Sequence, residues 1–112
     1  MKKRNKKIWI EALRSGKFKQ GRGTLYKDGK HCCLGVAYDV LVHGDWVDDE
    51  YDRWCIPHIG NSGYDERDEL PGYIRRKLGI SPDRMQTLIS MNDNGHSFNE
   101  IADWIEENMK GV

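Results

Sequence analysis

The residues best suited to chemistry fall in a few places along the chain. The first is Lys17-Phe18-Lys19-Gln20-Gly21-Arg22-Gly23, a basic stretch punctuated by glycine. Backbone N–H groups in such a turn form a concavity for phosphate, and an Arg fork grips phosphate oxygens two at a time. Lys17, Lys19, Gln20 and Arg22 are therefore candidate phosphate ligands, with Phe18 and Tyr26 available to stack a base. No Lys-Ser/Thr pair of the Walker type follows the glycines, so the stretch is expected to hold a ligand without hydrolysing a triphosphate. An ordinary solvated basic loop fits the same residues. The second place is Asn92-Asp93, whose side chains accept ribose hydroxyls if their turn lies near that loop. The third is the set of thiols and imidazoles: His31-Cys32-Cys33 and Cys55-Ile56-Pro57-His58.

Cys33 is the alternative catalytic candidate. A helix N-terminus lowers a thiol pKa and favours the nucleophilic thiolate. Cys33-Leu34-Gly35-Val36 resembles the Cys-x-Gly-apolar start of papain-like cell-wall peptidases, which implies a Cys33-dependent hydrolase or transferase. The polar residue expected before that nucleophile is here Cys32, and His43, His58 and His96 all sit near turns. Burial is the commoner fate of a cysteine. Cys55 and His58 have usable metal-ligand spacing, but no Cys-x-x-Cys accompanies them. Cys32 and Cys33 point roughly 100° apart on a helix and do not easily share an ion. Neither metal nor cofactor is expected, Cys55 and His58 remaining the alternative. Leu88 to Ala102 resembles the Gly-x-Ser-x-x-Glu-Ile-Ala turn of helix-turn-helix proteins. The chain leaves no room for a recognition helix, and Asp103, Glu106 and Glu107 repel phosphates, so DNA is not the expected partner.

The formal net charge of zero hides a division. Residues 1–30 hold eleven Lys/Arg against two Asp/Glu, a charge of +9, and residues 31–112 carry −9. Such asymmetry points to an anion-binding surface at the N-terminal end or to attraction between halves or subunits. Charged residues make up 32% of the chain, but four Trp, five Tyr and two Phe supply core volume, which fits a globular domain. No apolar run approaches the roughly 20 residues needed to span a bilayer. Met1 to Lys7 is basic like a signal n-region, but Glu11 and Arg14 interrupt the segment that follows. Three cysteines, two of them adjacent, do not make a disulfide framework, and a cytoplasmic location is expected.

These residues need elements to position them. His31 to Val42 is the most apolar stretch. Cys33, Ala37, Val40 and Leu41 mark one helix face and Leu34, Tyr38 and Val42 a second, so the helix should be buried and Gly44 should end it. Residues 1–4 are expected to fray ahead of a helix capped by Asn5 and stopped at Gly16. Asp28-Gly29 marks a two-residue hairpin. Leu70-Pro71 opens a short helix closed by Gly79, Ser81-Pro82 starts another, and Ser97 with Glu100 forms a capping box. The acidic, aromatic segment 45–69 is the least regular part. The expected fold is α+β: one domain over residues 1–112, four or five short helices around the apolar helix 33–42, and one β-hairpin.

Trp9-Ile10-Glu11-Ala12-Leu13-Arg14-Ser15-Gly16, Gln20-Gly21, Cys32-Cys33-Leu34-Gly35-Val36, Leu70-Pro71 and Leu78-Gly79 form a pattern with a C-terminal part. That part is Met91-Asn92-Asp93-Asn94-Gly95 with Ser97-Phe98 and Ile101-Ala102. Together they resemble a family of small phage and prophage proteins, over nearly the whole chain. The resemblance implies an accessory protein of the infected or lysogenic bacterial cytoplasm. By analogy with small phage inhibitors of host defence, the expectation is a non-enzymatic anti-defence protein. It would sequester a small phosphorylated or nucleotide ligand on Lys17, Lys19, Gln20, Arg22, Tyr26, Asn92 and Asp93, in a pocket at a homo-oligomer interface. The alternatives are the Cys33-dependent enzyme and a protein–protein inhibitor of a host factor acting through segment 45–69.

Overall fold

The computed structural model describes residues 1–48, 53–55 and 69–109. Its local signals are concentrated at turns. Asp28 and Gly29 both adopt positive φ (53° and 76°), the geometry that closes a tight hairpin in register with strand twist. They join β2 (Tyr26–Lys27) to β3 (Lys30–His31). The pairing is antiparallel, with Tyr26 opposite His31 and Lys27 opposite Lys30. Three further short strands extend this hairpin: β1 (Lys19–Gln20), β4 (Val47–Asp48) and β5 (Arg53–Cys55). The sheet order is β1-β3-β2-β5-β4. β1 runs parallel to β3, with Lys19 opposite Lys30 and Gln20 opposite His31. The sheet is thus larger than the single hairpin expected.

Helix α1 (Lys3–Arg14) buries Trp9, Ile10 and Leu13. It begins before Asn5: Lys2 precedes the first turn without a side-chain cap, and Lys6 N–H bonds to Lys2 O. Lysines are good helix formers, and the Met1 amine donates to Gly79 O ahead of the first turn. Gly16, at φ 76°, ends the segment in the left-handed conformation. Helix α2 (Cys33–Ala37) is buried at all five positions. The chain then widens into a π-turn over Tyr38–Val42, of which only Tyr38 is buried. A π-turn changes the angular step per residue, so Val40 and Leu41 are only half-buried and rotate off the face a straight helix would present. His43 (φ 56°), not Gly44, ends it. Gly44 serves clearance: a Cβ there would overlap the Tyr38 hydroxyl, which donates to Asp45 O at 2.7 Å.

Helix α3 (Gly72–Leu78) is closed by Gly79 at φ 76°. Helix α4 (Pro82–Asp93) starts with Ser81 Oγ accepting from Arg84 N–H and Pro82 in the first turn. Helix α5 (Phe98–Asn108) carries both halves of the capping box, Glu100 N–H to Ser97 Oγ and Ser97 N–H to Glu100 Oε1. α1 lies along α5, and α2 packs between α1 and α4. The Trp9 indole N–H reaches Cys33 O at 3.0 Å inside this core. Trp9, Leu25, Leu34, Leu88, Ile101 and Ile105 are fully buried, each such side chain contributing about 1.5–3 kcal/mol. The fold is α+β, five α-helices packed with a small mixed sheet among the described residues. None of these helices is long and apolar enough to cross a membrane.

Candidate functional site: a basic cleft beside the hairpin

Gly35 is where the site is built. A Cβ at this position would overlap the carbonyl oxygen of Leu25, so only glycine lets the 22–25 loop lie against α2. Leu25 O also accepts from Cys32 N–H at 3.0 Å, which joins that loop to the start of the helix. Gly21 makes a similar close approach. Its N–H donates to His31 O at 2.7 Å, and a Cβ there would stand 2.9 Å from Lys30 Cβ.

The loop is fastened from the other side by the α4–α5 turn. Asn92 is completely buried. Its Oδ1 accepts from Gln20 Nε2 at 3.0 Å and from Cys33 N–H at 3.2 Å. Its Nδ2 donates to Gly21 O at 2.7 Å. Gln20 Nε2 also donates to His96 O at 2.7 Å, and Gly23 N–H donates to Asp93 Oδ1 at 3.0 Å. The turn therefore does lie against the basic loop. Its side chains face loop backbone, and the Asn92 amide has no solvent-facing valence left for a ribose hydroxyl. Asp93 itself is exposed.

Between this loop and the hairpin lies a cleft of about 450 Å³. Gln20, Gly21 and Thr24 supply its neutral lining, and Arg22, Lys27 and Lys30 its cations, with Asp28 the single carboxylate. Arg22 reaches toward Gly95, where a Cβ would come within 3.4 Å of its Nη2. Among the described residues Lys19, Arg22, Lys27 and Lys30 are all exposed and none has an ion-pair partner. A larger groove of about 590 Å³ runs beside α1, where two of the four lining cations are engaged and Lys3 and Lys7 have no ion-pair partner among the described residues. Arg14 Nη2 binds Asp103 at 2.6 Å and Glu106 at 2.9 Å, and Lys6 Nζ donates to Glu106 O. The smaller cleft holds one carboxylate, Asp28, against two, Glu11 and Glu106, in the groove.

The remaining candidates separate from it. Lys17 and Lys19 are exposed and stand outside the cleft lining. Tyr26 is on the opposite sheet face, stacked on His31 with ring centroids 4.4 Å apart. There His31 Nε2 meets Asp39 Oδ2 at 2.6 Å, and Trp46 Nε1 donates to Asp39 Oδ1 at 2.8 Å. The other ring nitrogen, Nδ1, is buried and has no hydrogen-bond partner among the described residues. Phe18 packs edge-on against the same imidazole. This His31–Asp39–Trp46 network was not anticipated, because its members are separated by an intervening helix.

Cys33 does stand at a helix start, but fully buried, with Sγ 3.7 Å from Leu88 O. Burial pushes its pKa well above the ordinary thiol range and that of Cys32 up to about 11. The local effect of the helix terminus is outweighed by desolvation, which disfavours the thiolate. Cys55 occupies a register position in β5 opposite Val47, and His58 lies outside the described residues. Among the described residues no three His, Cys, Asp or Glu side chains converge as metal ligands. Thr24, Lys27, Asp28 and Lys30 were missed as site residues. The signal was present, since Lys27 and Lys30 flank a two-residue turn and strand alternation puts them on one face.

A family model described as a domain of unknown function, DUF8296, matches residues 1–109. The chain belongs to the DUF8296 family. No curated protein and no solved structure matches it. For this DUF8296 domain the chemistry of the cleft therefore carries the functional argument.

Proposed function

We propose that the protein binds and sequesters a small anionic, nucleotide-derived ligand in the cleft between Arg22 and Lys30. The observation that carries this reading is a cleft whose three cations make no ion pair among the described residues, one of them, Arg22, on the loop that buried Asn92 holds. Its volume of about 450 Å³ falls within the range of small-molecule sites. Preorganised cations cost less to order on binding than flexible ones. Holding without turnover fits the burial of Cys33, the nucleophile considered from the sequence, which keeps it from the thiolate form. The cleft is open to solvent, and a second copy closing over it would complete the enclosure, as a homo-oligomer. The resemblance to phage proteins gives this activity its setting, an anti-defence protein of the infected bacterial cytoplasm.

Calorimetry against cyclic dinucleotides and cyclic ADP-ribose isomers tests the reading. A member of the panel should bind, and heating the complex should release it chemically unchanged. Arg22→Ala should weaken binding about ten- to hundredfold, the loss of one charge-assisted hydrogen bond. Altered ligand would mean catalysis. No binding by any panel member, or an Arg22→Ala variant as tight as wild type, would overturn the proposal and leave the protein-inhibitor reading in front.

A further inference from the structure

Resting on that reading, we infer that the cleft selects ligands carrying at least two phosphate groups. The argument starts from strand register. Lys19, Lys30 and Lys27 are successive partners across β1, β3 and β2. Directly paired residues project from the same sheet face, so three ammonium groups share one face on three adjacent strands. Adjacent strands are about 4.8 Å apart, which makes the row roughly 10 Å long at the backbone. Like charges directly opposite one another destabilise a sheet. Among the described residues no carboxylate pairs with any of the three, although carboxylates elsewhere on this molecule do engage Arg14. At the neighbouring register position, on the opposite face, His31 is paired with Tyr26 and no lysine stands there.

Charge matching then sets the ligand class. Arg22, Lys27 and Lys30 against Asp28 give the cleft lining a charge of +2, and Lys19, outside the lining but opposite Lys30 in the sheet, extends the row to +3. A phosphomonoester brings only about −1.5 to −2 at neutral pH. Two or more phosphate groups bring the matching charge, and a row of point-like ammonium groups suits an extended series of oxygens better than one compact anion. Arg22, at one end beside Gly95, supplies the bidentate grip that fixes where the series begins.

Orthophosphate, pyrophosphate and tripolyphosphate, titrated into the full-length protein at constant ionic strength, test this. Pyrophosphate and tripolyphosphate should bind at least about tenfold more tightly than orthophosphate. Lys27→Gln and Lys30→Gln should each lower pyrophosphate affinity about three- to tenfold while leaving the melting temperature near wild type, since both side chains are exposed. If orthophosphate binds as tightly as pyrophosphate, or both lysine variants bind pyrophosphate like wild type, the inference is wrong. A short single-stranded oligonucleotide that outcompetes tripolyphosphate would also overturn it, in favour of a polymer backbone. The nucleotide panel separates the two levels. Binding that is indifferent to phosphate number sinks the inference and spares the reading. Absence of binding by every nucleotide and phosphate sinks the reading itself.

Discussion

Asn92 Nδ2 donates to the carbonyl oxygen of Gly21 at 2.7 Å, joining the end of α4 to a loop 71 positions earlier. The same amide, through Oδ1, holds Gln20 and the first N–H of α2. One buried side chain thus fixes the cleft loop relative to the core.

Replacing it exposes the arrangement. Asn92→Ala leaves Gly21 O and Cys33 N–H without their side-chain partner inside the protein. The expected loss of stability is about 2–4 kcal/mol, read from urea denaturation. The variant should also lose ligand binding beyond what its unfolded fraction explains, because the loop is no longer held. A change below about 0.5 kcal/mol would refute the role given to Asn92.

Gly35→Ala tests the close approach of the 22–25 loop. The added methyl overlaps Leu25 O, which is backbone and bonded to Cys32 N–H, so it cannot swing aside. Overpacking of this kind costs roughly 1–3 kcal/mol or more. Thermal melting should show a lower Tm. A Tm equal to wild type would mean the loop has room that the geometry denies.

Asp39→Ala addresses the network on the other sheet face. It strips the acceptor from both His31 Nε2 and the Trp46 indole N–H. A loss of about 2–4 kcal/mol is expected, with altered indole fluorescence. Because this network faces away from the cleft, phosphate affinity per folded molecule should stay close to wild type. A selective loss of binding would place Asp39 in the site.

The thiols make an alkaline prediction. Burial raises the Cys32 pKa from the ordinary value to about 11, so between about pH 9 and 11 the unfolded chain loses this proton before the folded one. The folded state then binds more protons, and stability falls as pH rises. The contribution is fully present below the unfolded pKa. At pH 8, Cys32→Ala should be less stable than wild type, and the gap should narrow by about 1–2 kcal/mol by pH 10.5. A gap independent of pH would contradict the burial of this thiol. Cys33→Ala should likewise lower stability, by about 1–3 kcal/mol, and leave binding per folded molecule intact.

What the sequence determined by itself lies within a few residues of each feature. The Asp28-Gly29 turn, the Ser81-Pro82 start, the Ser97–Glu100 capping box and the Gly16 and Gly79 stops are all local bargains between a side chain and nearby backbone. So are the apolar faces of α1 and α5, whose period of 3.6 is written along one helix. Tertiary structure decided the rest. Asn92 looked like a surface turn residue because its partners, Gln20, Gly21 and Cys33, are 59 to 72 positions away. Cys33 stands at a helix start that favours thiolate, in a helix expected to be buried, and the complete burial that packing gives it decides the contest by raising its pKa. Lys27 and Lys30 were legible as neighbours across a turn. Their union with Arg22 and Lys19 in one cationic surface required the parallel pairing of β1 with β3. Capping and periodicity are short-range and additive along the chain. Burial and strand pairing depend on which distant segments meet, and that is settled only when the core closes.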